Sequence, residues 1–253
     1  MVSLKYCILG VEGPHDQAFV GKLLEMRGFT KFDGQHKNID PFWQKFIPSY
    51  PIRGRLYARL DMPSIFVSHT HSVAIYQGEG TNLCPNLIDK MRTHQPYTED
   101  IYAFGLIVDA DEHAPNQVAK QKAEKLRVLF PLFPEIAGAV TIEEPRTGIY
   151  VLPDNVRPGI LDSILVKCAS MAYPDVKAGA ERFIESIDAA RKGHWGPFDS
   201  EKALIASIVS VLRPGMSNTP SIAQDEWVCN ATLSSVNEVT QLSTFLEKLL
   251  GLS

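Results

Sequence analysis

The sequence lacks the features that mark membrane, secreted and zinc-finger proteins. Its longest charge-free apolar run covers residues 203–212, about half of the roughly 20 residues that a membrane crossing needs. Its 4 cysteines form no C-x-x-C pair, so we expect neither a disulfide framework nor a zinc site. The first residues show no secretory pattern. We therefore expect a reducing, cytoplasmic protein with no membrane partner.

The chain also lacks an excess of positive charge. It carries 25 Lys and Arg against 29 Asp and Glu, a net charge of −4. Since this balance disfavours nonspecific attraction to phosphate polymers, a nucleic-acid partner would have to meet a local basic patch or a metal. The densest patch is Arg53, Arg55 and Arg59 around Tyr57. It is either a set of phosphate-backbone contacts or an ordinary solvated face.

What the sequence does contain is a repeated order of strand, loop and helix. Apolar runs at 6–11, 65–67 with 73–76, and 101–108 predict strands, and each is followed by a helical pattern. The run 101–108 is almost unbroken, which is typical of a strand covered on both faces. Shorter strands are predicted at 139–142 and 148–152. The alternation predicts an α/β fold with a mostly parallel central sheet flanked by helices.

The composition turns helical beyond residue 158. We therefore expect an α/β core over residues 1–155, with an irregular insertion at about 28–63, and a helical extension over 156–253. No Gly/Ser-rich or charged linker separates the two parts. The extension should consequently pack on the core.

Acidic residues follow two of the predicted strands. Glu12 comes directly after the first strand with Asp16 four residues later, and Asp109 and Asp111 follow the run 101–108. Ligands of parallel sheets bind at the carboxyl ends of strands, and clustered carboxylates repel each other unless a cation intervenes. If the backbone stays extended through residue 111, Asp109 and Asp111 project the same way. Each motif alone is also typical of a helix N-cap.

Hard oxygen ligands select a hard divalent ion, so the pair of motifs predicts a site for Mg²⁺ or Mn²⁺. Such an ion polarises phosphate oxygens and activates water, which is the chemistry of phosphoryl transfer. Gly13 would permit the sharp turn after Glu12 and a close approach of the backbone to a ligand. The sequence therefore predicts metal-assisted chemistry on a phosphoester.

At these residues the sequence resembles the Toprim domain, the metal-binding α/β module of topoisomerases, bacterial primases and OLD-type nucleases. The resemblance rests on LGVEGPHD with Glu12, LIVDADE with Asp109 and Asp111, and the glycine turn GEGTNL with Gly78 and Gly80. It implies a Toprim-like fold in which Glu12 is the general acid/base and the aspartates hold Mg²⁺. With GIYVLPDN, PGILDS and SEKA, the motif order is similar to a small bacterial family with an OLD-like Toprim core, over most of the chain.

The OLD-type resemblance implies further site residues. Asp16 matches a second carboxylate one helical turn after the first, and Asp162 is the candidate for a later acid supporting a second ion. Lys202 is the candidate for a catalytic lysine that stabilises transition-state charge. No G-x-x-x-x-G-K-S/T motif occurs, so the resemblance implies a stand-alone Toprim protein, with a separate ATPase or another protein as a partner.

Three functions stay open at this point. The leading hypothesis is a Mg²⁺-dependent, nuclease-like hydrolase acting on DNA or RNA. The alternative is an accessory module that holds metal and a nucleotide or protein without turnover. The third is a phosphatase acting on a small phosphoester with the same ion chemistry.

Overall fold

The computed structural model describes residues 4–49, 62–78 and 80–252. The predicted basic patch of Arg53, Arg55 and Arg59 lies outside the described residues. Within these ranges the sheet has six strands: β1 Lys5–Val11, β2 Thr30–Lys31, β3 Ser64–Val67, β4 His71–Gln77, β5 Ala103–Asp109 and β6 Arg146–Leu152.

The strand order β2-β3-β4-β1-β5-β6 places β1 at the centre of the sheet. β1 runs parallel to β4 on one side and to β5 on the other, and β6 runs parallel to β5. Only β2 and β3 add antiparallel pairs. The predicted α/β class with a mostly parallel sheet is confirmed. Because Val11 is in register with Ile107, the chain leaves β1 and β5 at the same edge of the sheet.

Helices connect and follow these strands in the described ranges. They are α1 Pro14–Met26, α2 Leu83–Arg92, α3 Pro96–Glu99, α4 Pro115–Leu126, α5 Leu161–Ala172, α6 Pro174–Ser186, α7 Asp199–Leu212, α8 Asn218–Gln224, α9 Asn230–Ser235 and α10 Asn237–Leu250. Short 3-10 helices cover His36–Asn38, Pro41–Trp43, Gly80–Asn82 and Ala189–Lys192. Within these residues, no helix is both long and apolar enough to cross a membrane.

Side-chain alternation along the strands sorts the helices into two layers. Leu9 and Val11 of β1 share a core with α1 and with α5, α7 and α10, whereas Ile8 belongs to a second core with α2 and α4. This is the period-two alternation of a strand covered on both faces. The helices after residue 160 therefore pack on the same face of the sheet as α1.

Two strand predictions differ from the structure. The strand predicted at 139–142 is wrong: this segment makes only an isolated bridge between Val140 and Gly148. It folds back along the outer edge of β6, where the Gly138 N–H donates to the Ile149 carbonyl at 2.8 Å. The apolar runs at 65–67 and 73–76 form two antiparallel strands, β3 and β4, rather than one.

Candidate functional site: a carboxylate edge

The turn between β1 and α1 carries the first acidic motif. Gly13 is extended and precedes α1. Pro14 occupies the first helical position, where a backbone N–H would have no partner within the helix. The Gly13 N–H donates to Asp16 Oδ2 at 2.8 Å. This bond satisfies a backbone donor at the start of α1 and fixes the buried Asp16 carboxylate beside the turn.

The second motif is held by the loop that follows β6. Asp109 ends β5, and its Oδ1 accepts the Leu161 N–H at 3.0 Å. Asp111 has a φ of +50°, so the backbone does not stay extended through residue 111, the condition under which Asp109 and Asp111 would project the same way. The physical reason is a backbone bridge to Gly159, with N–H to carbonyl distances of 3.0 and 2.8 Å.

Gly159 is required by this arrangement. Its φ is +148°, and a Cβ there would lie 2.9 Å from Cδ of Pro153, closer than side chains tolerate. The glycine lets the loop reach Asp111 and then begin α5, where Asp162 lies in the first helical turn. The motif PGILDS thus brings Asp162 to the end of β5.

We call Glu12, Asp16, Asp109, Asp111 and Asp162 the carboxylate edge. Burial, followed by the charges of Glu12 and Asp162, raises the pKa of Asp16 to about 7, although the hydrogen bond from Gly13 opposes the rise. Burial likewise raises the pKa of Asp109 well above its usual range, helped by the charges of Asp16, Glu12 and Asp111. The structure therefore brings the predicted acids close enough to repel each other.

His15 and Lys202 flank the α5 side of the carboxylate edge. Burial raises the pKa of Asp162, while the charges of His15 and Lys202 oppose the rise. Lys202 lies in the first turn of α7, 58% exposed and 3.6 Å from Asp199. The ammonium of Lys202 thus lies at the surface, close enough to Asp162 to act on its charge. His15, whose pKa burial lowers, was missed because nothing in its spacing distinguishes it from a loop histidine.

Lys122 is the charged residue that the sequence prediction missed. Its Nζ lies 3.0 Å from Glu12 Oε1, and the two side chains are only 15% and 20% exposed. A signal existed: Lys122 interrupts the buried stripe of α4 formed by Val118, Ala119, Ala123 and Leu126. A lysine at helical spacing within an apolar face needs an anion nearby.

The backbone amides of the predicted substrate-binding glycines are engaged within the protein. The Gly13 N–H donates to Asp16, and the Gly78 N–H donates to the Val11 carbonyl at 2.9 Å. The Gly80 N–H donates to the Gly78 carbonyl, also at 2.9 Å. Gly78 packs so closely on Leu83 that a Cβ would lie 2.6 Å from its Cα. The glycine turn therefore lies against the β1–α1 turn and braces it.

The donor set of the carboxylate edge suits a hard divalent ion such as Mg²⁺ or Mn²⁺, because it consists of oxygen atoms whose mutual repulsion a cation would relieve. Across the described ranges, however, no group of three or more His, Cys, Asp or Glu side chains is already positioned to hold a metal ion. Glu12 is directed to Lys122 on the α4 side, whereas Asp109 faces α5. The carboxylates are therefore suitable ligands for a hard divalent ion, but their side chains would have to reorient to bind it.

Gln77 is a further polar residue at this edge. It ends β4 beside Val11, is 9% exposed, and its buried Oε1 has no hydrogen-bond partner among the residues that the structure describes. An unpaired buried acceptor is costly and rare in proteins. The edge thus contains a neutral oxygen, as well as carboxylates, whose bonding capacity the fold does not use.

Comparison with known proteins places the whole chain in one family. A family model described as a protein of unknown function, DUF3226, matches residues 6–251. The chain belongs to the DUF3226 family. No curated protein matches the sequence.

One solved structure resembles this DUF3226 chain: the crystal structure of the hypothetical protein PH0156 from Pyrococcus horikoshii OT3. The similarity has a TM-score of 0.55 at 15% sequence identity, and it covers 96% of this chain and 100% of that one. The likeness concerns the fold alone. It extends over both the sheet and the C-terminal helices.

Proposed function

We propose that this protein is a phosphodiester-acting enzyme of the Toprim type, nuclease-like and dependent on Mg²⁺ or Mn²⁺. The observation that supports it is the burial of Asp16 and Asp109 among the charges of other acids, at the carboxyl ends of neighbouring parallel strands. Keeping such acids uncompensated costs folding free energy. A cation that binds between them would repay this cost.

Glu12, Asp109 and Asp111 would hold the ion, and Asp16 and Asp162 would support a second one. When bound, the ion would polarise a phosphate oxygen and lower the pKa of a water ligand. The chain's own contribution is to fix the carboxylates: the Gly13 N–H orients Asp16 and the Leu161 N–H orients Asp109. Lys202, exposed on α7, would stabilise charge that develops on the phosphate.

The direct test is hydrolysis of labelled single-stranded DNA and RNA with Mn²⁺, Mg²⁺ or EDTA. We expect activity with the ions and a loss of at least about 100-fold in Asp109→Asn and in the double variant Asp109→Ala with Asp111→Ala. Glu185→Gln, an exposed acid of α6, is the matched control and should keep full activity. Hydrolysis that survives in the double variant would remove these residues from the mechanism.

A small-ester screen separates the enzyme classes. Cleavage of bis(p-nitrophenyl) phosphate indicates a diesterase, and cleavage of only p-nitrophenyl phosphate indicates a phosphatase. Both should depend on the same ion and on Asp109, because one carboxylate edge would serve either substrate.

A second function, a binding module without turnover, is favoured by the ion pair between Glu12 and Lys122. A paired Glu12 is not free to act as a general base. Calorimetric titration with mononucleotides and Mn²⁺ distinguishes this reading: binding without hydrolysis of any polymer or small ester would support it against the enzyme.

A further inference from the structure

The ion pair between Glu12 and Lys122 lies between two layers of the fold. Glu12 follows Val11, and since Val11 faces the α1 layer, alternation turns Glu12 toward the layer of α2 and α4. Lys122 approaches it from the third turn of α4, from within that helix's buried stripe. The pair is thus built into the edge of the core and is not a contact between mobile surface side chains.

A divalent ion and this ammonium would compete for the same carboxylate. Lys122 and Glu12 make a 3.0 Å contact at 15% and 20% exposure, where charges are screened far less than at an open surface. An ion that takes Glu12 repels the ammonium and removes its partner. Within the described residues Glu12 is the only acid that pairs with Lys122. A largely buried ammonium without an anion is costly.

An anionic ligand would supply the missing partner. The backbone amides of Gly13, Gly78 and Gly80 are engaged within the protein, so these groups offer little to a phosphate. Lysine is a common phosphate ligand, because its ammonium acts as a compact charge on a flexible stem. Among the described residues, Lys122 is therefore the cation in contact with Glu12 that could meet a phosphate oxygen there.

We infer that Lys122 is an anion-binding residue whose partner changes from Glu12 to a phosphate oxygen of the ligand when the carboxylate edge binds a divalent ion. This inference rests on the proposed function, because it takes the edge to bind metal and phosphate together. It assigns a phosphate-binding role to α4, a helix to which no site residue was predicted to belong. It also explains how a site with a paired Glu12 becomes competent: the ligand itself exchanges the ion pair.

The exchange predicts effects of opposite sign in Lys122→Met. Removing the ammonium frees Glu12, so Mn²⁺ should bind about 5- to 10-fold tighter, while inorganic phosphate should bind the Mn²⁺-loaded protein about 10-fold more weakly or worse. Lys122→Arg keeps the charge and should stay near wild type in both titrations. Calorimetry measures both affinities, and thermal unfolding shows that each variant is folded.

A metal-free arm tests the inference independently of the proposed function. Glu12→Gln releases Lys122 without any ion, so inorganic phosphate should bind metal-free Glu12→Gln more tightly than wild type, and the gain should vanish in Glu12→Gln with Lys122→Met. Equal phosphate affinity in the single and double variants would overturn the inference, whatever Mn²⁺ does. If the metal-free gain is seen but wild type binds no Mn²⁺, the anion site stands and the metal-dependent function fails.

Discussion

Buried acids in two regions of this protein have opposite surroundings. Glu238, in the first turn of α10, is 5% exposed and contacts both Lys167 and Arg157. Burial raises its pKa, but the hydrogen bond and charge of Lys167 and the charge of Arg157 outweigh burial, so the pKa stays below its usual range. We call Glu238, Lys167, Arg157 and the neighbouring Asp154 the paired cluster.

The carboxylate edge is the reverse case. Asp16 is buried and Asp109 is half-buried, yet no lysine or arginine among the described residues forms a salt bridge with either. Burial and the charges of neighbouring acids raise both pKa values. The fold can compensate buried acids, as the paired cluster shows. Where it does not, the uncompensated charge is a property that a ligand can use.

The pH dependence of stability should expose this difference most strongly. The pKa of Asp16 is about 7 in the folded protein and about 3.9 when unfolded, so the folded state binds more protons between these values. Stability should therefore fall as pH rises from 4 to 8, with Asp16 accounting for about 2–4 kcal/mol. Asp16→Asn keeps the oxygen that accepts the Gly13 N–H and should flatten this fall in urea denaturation.

Asp33→Asn, which changes an exposed acid, is the control and should reproduce the wild-type profile. For the paired cluster, the expected pH dependence of stability has the opposite sign. Because the folded-state pKa of Glu238 is lowered, its contribution is present at neutral pH and lost as pH falls through that pKa. If the free energy of unfolding of Asp16→Asn depends on pH as that of wild type does, the Asp16 charge is compensated in the folded protein.

Matched neutralisations in the two regions should shift stability in opposite directions. Glu238→Gln should lower the free energy of unfolding by about 1–3 kcal/mol, less than for a fully buried pair because Lys167 and Arg157 are about half exposed. Asp109→Asn, which keeps the acceptor for the Leu161 N–H, should raise it by about 1–3 kcal/mol without metal at pH 8.

Chemical denaturation of the metal-free proteins measures both changes. With excess Mn²⁺, wild type should become more stable than Asp109→Asn, because the ion stabilises wild type and leaves the variant largely unaffected. If both substitutions destabilise the metal-free protein equally, the carboxylate edge is an ordinary buried network.

The fold could be predicted from the sequence because its strongest signals are local. The unbroken apolar run of β5 and the strand–turn–helix pattern at β1 predict parallel strands, whose carboxyl ends carry Glu12 and Asp109. That the two strands are neighbours is shown by the structure. The structure of residues 139–142 could not be predicted correctly, because whether this short segment pairs as a strand depends on its contact with the outer edge of β6. Its local pattern holds no such information.

The site was only partly predictable for the same reason. The acids lie in recognisable motifs, but the backbone at Asp111 is set by Gly159, far along the chain. The partner of Glu12 is Lys122 of α4, on the other face of the sheet from α1 and α5. In the sequence only its charge within the apolar stripe of α4 indicates it. Contacts between layers decide which carboxylates are paired, and motif spacing does not encode them.

The smallest expected effect concerns a neutral side chain at the carboxylate edge. Gln77→Met keeps the length of the side chain but removes the buried Oε1, which has no partner in the described part of the chain. The variant should be about 1 kcal/mol more stable than wild type, since an unpaired buried acceptor costs about 1–3 kcal/mol. Urea denaturation at fixed pH measures the difference.

Gln17→Met is the matched control, because Gln17 Nε2 donates to the Ile75 and Met62 carbonyls at 2.8 and 3.1 Å. It should destabilise the protein by about 1 kcal/mol, the usual value of a hydrogen bond. If Gln77→Met is also destabilised, the oxygen has a structural role. If it is stabilised and binds Mn²⁺ or phosphate more weakly, its unused acceptor belongs to the ligand site, and the carboxylate edge extends from β5 across β1 to β4.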